Sequence, residues 1–324
     1  MLNPRQNLEE VLGWGKPEYV PTVLPGKMIS VNDNHFTNQA GRGRWQDRWG
    51  VTWSVHRQDG YHFPVAPAAR TLNEALALPF PDPASDSVCL PAVEAAASFA
   101  GKVDGFLMAN HEDFLFSRMW LLLGMEECLA MLAAEPDASR ALARRIMDYH
   151  LRVAQTYADL GAEIVRLCDD YGMQNALFFR PAVWREVFRP ELERIIGFYR
   201  ARGIRVLFHS CGHIQEIVAD LVDLGISILN PVQAKANDLS LVRRLTAGKV
   251  VLFGGIDTQD LLSFGTPDRV RREVRLLLWQ LGRDGGWIAS ADQGITGIPP
   301  ENLAAMTETL ARFGQYPLKA EDFA

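Results

Sequence analysis

The stretch Ile204-Arg205-Val206-Leu207-Phe208 runs directly into His209-Ser210-Cys211-Gly212-His213. The first five residues form an apolar run of the kind that predicts a strand. Residues two apart on a strand point to the same side, so His209 and Cys211 should project together from its carboxyl end. This pair outlines a soft-metal or thiol-based site. The alternative is structural, because a strand-end cysteine is often a small buried hydrophobe and a neighbouring histidine often satisfies a backbone group.

The same alternation of apolar run and longer helical pattern extends over most of the chain. Strand-like runs lie at residues 103–108, 163–168, 204–208, 227–229, 250–253 and 287–289. Helix-like segments lie at residues 117–134, 138–160, 181–202, 214–224, 239–246, 267–281 and 300–313. Strands alternating with helices predict parallel βαβ units.

Two closures of these units compete, an open doubly wound sheet and a closed barrel. No GxGxxG motif opens the first βα turn, so the dinucleotide-binding form of the open sheet loses support. We therefore predict an α/β fold, a single (β/α)8 TIM barrel spanning residues 1–324. Residues 1–100 should form an irregular N-terminal extension with a first strand near Lys27 to Val31, and residues 101–324 the main barrel.

Composition places the chain among ordinary globular proteins. Of its 324 residues 48% are hydrophobic and 22% charged, and the net charge of −6 comes without any Lys/Arg-rich run, which argues against nucleic acid as a partner. No signal-type start or bilayer-length apolar run is present, so no membrane partner is expected. The four cysteines lie far apart without a CxxC pair, which argues against a disulfide framework. We expect a cytoplasmic protein, a monomer or homodimer, acting on a small-molecule substrate.

Polar or glycine-rich clusters follow the apolar runs from the middle of the chain onward. They are Asp169-Asp170, His209-Ser210-Cys211-Gly212-His213, Asn230-Pro231-Val232-Gln233, Gly254-Gly255-Ile256-Asp257 and Ser290-Ala291-Asp292-Gln293. In a parallel barrel these strand ends share one face, where active sites are built. The alternative is that loops are polar simply because they are solvated. We predict that one cleft is lined by Asp170, His209, Cys211, Asn230, Asp257 and Gln293.

Several of these segments together carry a family resemblance. They are Asp169-Asp170-Tyr171-Gly172-Met173-Gln174, His209-Ser210-Cys211-Gly212, Ile228-Leu229-Asn230-Pro231-Val232-Gln233, Gly254-Gly255-Ile256-Asp257-Thr258-Gln259 and Pro299-Pro300-Glu301-Asn302. In this order they resemble the uroporphyrinogen decarboxylase superfamily, and more narrowly its methyltransferase-like branch, which includes corrinoid-dependent methyltransferases. Asp47-Arg48-Trp49-Gly50-Val51-Thr52-Trp53 resembles the D-x-W-G-V element of the same branch.

The resemblance implies a zinc site with the pattern His-x-Cys and a second cysteine much later in the chain. His209 and Cys211 match the first part, whereas no cysteine stands near Gln293, where the second is expected. Zinc also accepts carboxylate oxygen. Asp292 is assigned as the third ligand, with Asp170 and Asp257 as the alternatives. The other interpretations of the missing thiolate are that no metal binds or that the acceptor is not a thiol.

Further residues are assigned roles from their positions in the chain. Asp170 and Gln174 would orient the incoming methyl carrier or the polar tail of the acceptor, and His209 and Asp257 complete the catalytic set. Contacts with substrate are assigned to Trp49, His111, Asn230, Gln233 and Gln293.

Two of those assignments have structural alternatives. Trp45, Trp49 and Trp53 are spaced by four and would form one stripe on a helix, which usually faces a core rather than serving as a lid. His111 follows a predicted strand, but Asp113, two residues further on, could equally serve as a helix N-cap.

The activity implied is the movement of a methyl group between a methyl-corrinoid and a thiol or folate-type acceptor. The chain lacks a corrinoid-binding D-x-H-x-x-G module, so cobalamin would arrive on a small corrinoid-binding protein or as free cofactor. One alternative is decarboxylation of a tetrapyrrole, although Gln39-Ala40-Gly41-Arg42 is only a partial echo of the arginine-rich segment of true decarboxylases. The other is a non-catalytic small-molecule binder.

Overall fold

The structure is a computed structural model that describes residues 1–32, 43–55, 62–102 and 104–323. Its strands are β1 (Gly26–Ile29), β2 (Arg44–Gln46), β3 (Thr52–Val55), β4 (His62–Ala66), β5 (Phe106–His111), β6 (Ile164–Cys168), β7 (Arg205–His209), β8 (Ile228–Asn230), β9 (Val251–Ile256) and β10 (Trp287–Ala291). The segment Gln39-Ala40-Gly41-Arg42 lies outside the described residues, as does the first residue of the strand predicted at 103–108.

The α-helices in the described ranges surround these strands. They are α1 (Pro4–Leu12), α2 (Leu72–Ala77), α3 (Asp86–Phe99), α4 (Phe116–Leu123), α5 (Met125–Ala134), α6 (Pro136–Asp159), α7 (Pro181–Val183), α8 (Arg189–Arg200), α9 (Val218–Leu224), α10 (Leu239–Thr246), α11 (Leu261–Phe264), α12 (Pro267–Leu277) and α13 (Pro300–Phe313). Two π-helical turns, Trp184–Phe188 and Leu278–Gly282, adjoin α8 and α12. None of the helices in these ranges has the length and apolar character needed to cross a membrane.

A curled parallel sheet forms the centre of the fold. Its strand order is β1-β5-β6-β7-β8-β9-β10, which gives seven strands over the described residues where eight were predicted. The ends of the sheet meet, because the Ala289 N–H of β10 donates to the Pro21 carbonyl (2.8 Å) and the Phe106 N–H of β5 donates to the Pro25 carbonyl (2.9 Å). Residues 21–25 therefore lie between β10 and β5, and the predicted α/β TIM-barrel fold is confirmed.

Helix α1 closes the amino-terminal end of the barrel. Asn3 caps this helix in a reciprocal pair with Gln6, and Pro4 takes the first helical position. Leu8 and Val11 are then buried inside the barrel with a cluster made of Phe106, Met108, Ile164, Leu207, Ile228, Val251 and Ile288. The apolar plug at this end leaves the carboxyl ends of the strands as the place for a site.

The tryptophans spaced by four do not lie on a helix. Strands β2, β3 and β4 form a separate antiparallel sheet in which Trp45 pairs with Trp53. Trp49 lies in the turn between them, where the Asp47 carboxylate accepts the N–H groups of Trp49 and Val51, each at 2.9 Å. The segment is therefore not the helix on which such a stripe would form, but all three tryptophans are buried, as the core alternative predicted.

Candidate functional site

A cavity of about 730 Å³ lies at the carboxyl ends of the barrel strands. Five of the six side chains predicted to share a cleft line it, namely Asp170, His209, Cys211, Asn230 and Gln293. They come together because each follows or ends a parallel strand, and the registers of β6, β7 and β8 set Cys168 beside His209 and His209 beside Asn230. Asp257, the sixth, does not line this cavity.

Three potential metal ligands meet at one point of the cavity. The ligand atoms of Asp170, His209 and Cys211 all lie within 4.8 Å of one another. His209 Nε2 is 3.4 Å from Cys211 Sγ and 3.6 Å from Asp170 Oδ1. The same Asp170 oxygen accepts the backbone N–H of Cys211 at 2.8 Å, which ties the loops after β6 and β7 together.

The hydrogen bonds around Asn230 fix the tautomer of His209. Asn230 Nδ2 donates to the Phe253 carbonyl at 3.0 Å, so its Oδ1 faces His209 as an acceptor. His209 Nδ1 lies 2.6 Å from that oxygen and must carry the proton. In the neutral ring Nε2 is then left with a lone pair toward Asp170 and Cys211. Such a partner on the remote ring nitrogen is what orients a metal-binding histidine.

Burial favours the uncharged forms of the two candidate ligands Cys211 and His209. It raises the pKa of the Cys211 thiol to about 12, with the Asp170 charge adding to the effect. It also lowers the pKa of His209, assisted by the positive charge of Arg166. A neutral imidazole is ready to bind a metal as it stands, whereas the thiol needs a neighbouring cation to become a thiolate.

Gln293 lies in the segment, residues 290–294, in which the family resemblance predicts a second cysteine. Its Nε2 donates to Cys211 Sγ at 3.1 Å. An amide from this segment therefore contacts the Cys211 sulfur.

The other two acidic candidates for the third ligand are engaged elsewhere. Asp292 lines the cavity, but its Oδ1 accepts both the N–H and the hydroxyl of Thr258, at 3.0 and 2.7 Å. Asp257 accepts the backbone N–H groups of Gln259 and Leu261, both at 2.9 Å, in the turn that leads into α11. The structure thus places Asp170, rather than Asp292 or Asp257, beside His209 and Cys211.

Four further predicted site residues lie outside the cavity wall, namely Gln233, Gln174, Trp49 and His111. Gln233 is buried behind it and accepts the Gly212 N–H, so it holds the loop after β7. Gln174 is on the exposed rim, where it donates to the Lys235 carbonyl at 3.2 Å and accepts from Gln259.

Trp49 and His111 are buried in the packing around the barrel rather than in its cavity. Trp49 contacts Tyr149 with ring centroids 4.6 Å apart, and the Arg118 guanidinium lies over its ring. His111 contacts His150 and Tyr199. The structure does not bring either residue to the cavity. His111 on β5 points toward α6 and α8, and Trp49 in the turn between β2 and β3 points toward α4 and α6.

An ion pair inside the cavity was missed from the sequence. Arg166 on β6 lies 3.4 Å from Glu112, and Arg166 Nη2 donates to Cys168 Sγ at 3.1 Å. All three side chains line the cavity. A signal was available, because an arginine in the apolar run Ile164–Cys168 is unusual for a parallel strand buried on both faces.

The closed parallel barrel, with polar side chains at the carboxyl ends of its strands, places the chain in the class of α/β-barrel enzyme folds. The family model described as Uroporphyrinogen decarboxylase (URO-D) matches residues 115–313. The chain belongs to this family.

Two curated relatives, both named uroporphyrinogen decarboxylase, match part of the chain. The one from Saccharophagus degradans is 26% identical over 180 residues, which are 54% of this chain and 49% of the relative. The one from Ralstonia pickettii is 27% identical over 204 residues, 57% of this chain and 50% of the relative. The chain therefore spans about half the length of the curated relatives it matches.

A solved structure described as a methyltransferase from Methanosarcina mazei shares the fold over nearly its whole length. The superposition has a TM-score of 0.73 and covers 97% of this chain and 99% of the other, at 15% sequence identity. The N-terminal part beyond the family match is thus included in a fold that has a solved counterpart.

Proposed function

We propose that the protein transfers a methyl group between a methyl-corrinoid and a thiol or folate-type acceptor, with zinc held by His209, Cys211 and Asp170. The observation that carries this proposal is the orientation of His209. Its Nδ1 is committed to Asn230, and its Nε2 lies within 4 Å of both the Cys211 sulfur and an Asp170 oxygen. The solved methyltransferase of the same fold supports the reaction class.

The donor set fits zinc in chemistry and in number. It offers one imidazole nitrogen, one sulfur and one carboxylate oxygen, which are the ligand types that zinc takes in catalytic sites with three protein ligands. When bound, zinc would hold a coordinating thiol as its thiolate, the form that accepts a methyl group.

The remaining cavity residues position the reactants and keep water away. Gln293 donates to the Cys211 sulfur and so holds that side chain in place. Met108, Leu207 and Phe253 line the cavity with apolar surface, which would surround a methyl group without hydrogen-bonding to it. Gln174 remains our candidate for a contact with the methyl carrier, which we propose to be supplied by a small corrinoid-binding protein or as free cobalamin.

Replacing the partner of His209 is expected to weaken metal binding without removing a ligand. Asn230→Ala leaves the imidazole free to rotate or to carry its proton on Nε2 instead of Nδ1. Loss of such a partner typically costs about 10- to 100-fold in metal affinity. A competition titration of zinc against a chromophoric chelator measures the change. Unchanged affinity, with the fold confirmed by circular dichroism, would show that His209 does not bind zinc through Nε2.

The activity itself is tested with the wild-type protein, Cys211→Ala and Cys89→Ala. We expect zinc-loaded wild type to demethylate methylcobalamin in the presence of a thiol or folate acceptor, and Cys211→Ala to lose this activity by about 10³-fold or more, comparable to the loss of a major electrostatic contribution in other enzymes. Cys89 lies on α3, away from the cavity, so Cys89→Ala should retain full activity. The absorbance change of methylcobalamin measures the rate.

Decarboxylation of a tetrapyrrole is the second candidate, because the family model and both curated relatives carry that name. The charge of the cavity opposes it. Among the described residues, Arg166 is the single lysine or arginine on the cavity wall, which also carries Glu112, Asp170 and Asp292. Wild-type protein that decarboxylates uroporphyrinogen and transfers no methyl group to any acceptor would overturn the first proposal in favour of this one.

A further inference from the structure

A single guanidinium lies in the interior of the cavity. Arg166 and Cys168 are two apart on β6 and both line the cavity, so Arg166 lies one layer deeper in the barrel than the level of His209. Its neighbour in register on β7 is Leu207, which belongs to the apolar plug. Burying a cation in such surroundings is costly unless hydrogen bonds and opposite charges offset the loss of water.

The partners of Arg166 are incomplete. A guanidinium has five N–H donors. In the described part of the chain it makes one long contact to Glu112, at 3.4 Å, and donates once to the Cys168 sulfur, at 3.1 Å. Its side chain keeps 26% of its exposure, and it is the cavity that provides this exposure. Several donors therefore face the space in which a ligand would lie.

Glu112 holds the guanidinium rather than saturating it. Its Oε2 also accepts from Asn110 Nδ2, and its Oε1 lies 3.6 Å from Cys168 Sγ. The carboxylate is thus fixed by β5 and β6 side chains on one edge of Arg166. Three of the five N–H donors of Arg166 have no acceptor in the described part of the chain.

We propose that Arg166 binds an acidic group of the small-molecule substrate and that the substrate carries one such group, of the carboxylate class. Glu112 acts as a positioning residue. The inference deepens the proposed methyl transfer by stating the charge of the molecule that occupies the cavity. A planar guanidinium with unused N–H donors suits a carboxylate because it can bind both oxygens. A second acidic group would meet no further lysine or arginine among the described residues of the wall.

The inference is tested by comparing matched probes on the full-length protein. The probes are 3-mercaptopropionate, the neutral 3-mercaptopropan-1-ol and, without a thiol, propionate and propylamine. Hydrogen bonds to a charged group predict that 3-mercaptopropionate binds the wild type about 10- to 100-fold more tightly than the neutral thiol. Calorimetry should also rank propionate above propylamine in zinc-free protein, a result that does not depend on metal or methyl transfer.

The variants assign this preference to one residue. Arg166→Met should remove the advantage of 3-mercaptopropionate and leave the affinity for the neutral thiol unchanged. Arg205→Met, which removes a cation from the first residue of β7 outside the cavity, should keep the advantage. Equal binding of acidic and neutral probes by the wild type, or an advantage that survives in Arg166→Met, would overturn the inference. Should Arg166→Met fail to fold, the ranking of the four probes on the wild type still decides it.

Discussion

Gly212→Ala is expected to disrupt the candidate metal site and to destabilise the fold by about 3 kcal/mol or more. Gly212 has φ +78°, and a Cβ at this position would lie 2.2 Å from the Gly172 carbonyl oxygen and 2.6 Å from that of Met173. Both obstacles are backbone atoms, which cannot rotate away as a side chain can. The contact is reciprocal, since a Cβ on Gly172 would lie 2.5 Å from the His213 nitrogen.

The expected damage reaches the site because these two loops carry its ligands. Asp170 precedes Gly172 by two residues, and Cys211 adjoins Gly212. Moving the loops apart to admit a methyl group would strain the bond from the Cys211 N–H to Asp170 and the bond from His213 N–H to the Met173 carbonyl. Zinc affinity should therefore fall together with stability.

Gly248→Ala provides the matched control. Gly248 has nearly the same backbone conformation, with φ +71°, but nothing lies within 4 Å of an added Cβ. This substitution should lower the free energy of unfolding by about 1–2 kcal/mol, because alanine is strained in the left-handed conformation, and it should leave zinc affinity unchanged. Urea unfolding and chelator competition measure the two quantities. Equal losses of stability in the two variants would show that the loops separate freely and do not hold the ligands in place.

The sequence predicted which strand ends meet but not what each acidic side chain does there. Convergence requires only that parallel strands end on one face, which is why Asp170, His209 and Cys211 could be grouped correctly. Asp257 and Asp292 follow strands in the same way, yet their oxygens are taken by nearby N–H and hydroxyl groups. Whether a carboxylate accepts from its own loop or faces a cavity depends on the path of that loop, which residue type does not reveal.

Two other differences have equally local causes. The spacing of Trp45, Trp49 and Trp53 suits a helix, but it also suits two paired strands joined by a turn, and only the hydrogen bonds of Asp47 decide between them. Arg166 escaped notice because it lies within an apolar run. Its direction follows from alternation along β6, and alternation alone does not say which side is the barrel interior.

Acid is expected to destabilise the protein through two buried histidines, His111 and His150. His150 Nε2 donates to the Phe114 carbonyl at 3.0 Å, so its Nδ1 accepts from His111 Nδ1, also at 3.0 Å. His111 Nε2 then accepts the hydroxyl proton of Tyr199 at 2.6 Å. Each ring is neutral and uses both nitrogens, so adding a proton to either would replace an acceptor with a second donor.

Burial lowers the pKa of both histidines. The pKa of His111 falls to about 3, and that of His150 lies well below its usual 6.5, with the charge of Arg118, and of His111 once it is protonated, adding to the effect of burial. Between pH 6.5 and 3 the unfolded chain therefore binds protons that the folded protein does not. Stability is fully present above pH 6.5 and is lost as the pH falls, by about 1.4 kcal/mol per pH unit for each histidine.

Buried carboxyl groups oppose this loss over part of the range. Burial raises the pKa of Asp169 from 3.8 to about 6, so the folded protein binds the extra proton there between those values. Burial likewise raises the pKa of Asp47 and Asp292 and lowers that of His209, so the net slope sums the contributions of several groups. Only a comparison of variants can isolate the contribution of the pair.

His150→Gln and Tyr199→Phe form that comparison. Glutamine can donate to the Phe114 carbonyl and accept from His111 without titrating, so the free energy of unfolding should change less with pH than in the wild type. Tyr199→Phe removes a hydrogen bond to His111 but no histidine, so it should lower stability by about 1 kcal/mol and keep most of the slope. Urea unfolding at several values between pH 7 and 5 gives each slope. If wild type and His150→Gln lose stability in parallel, the acid sensitivity arises elsewhere in the chain and the buried pair does not control it.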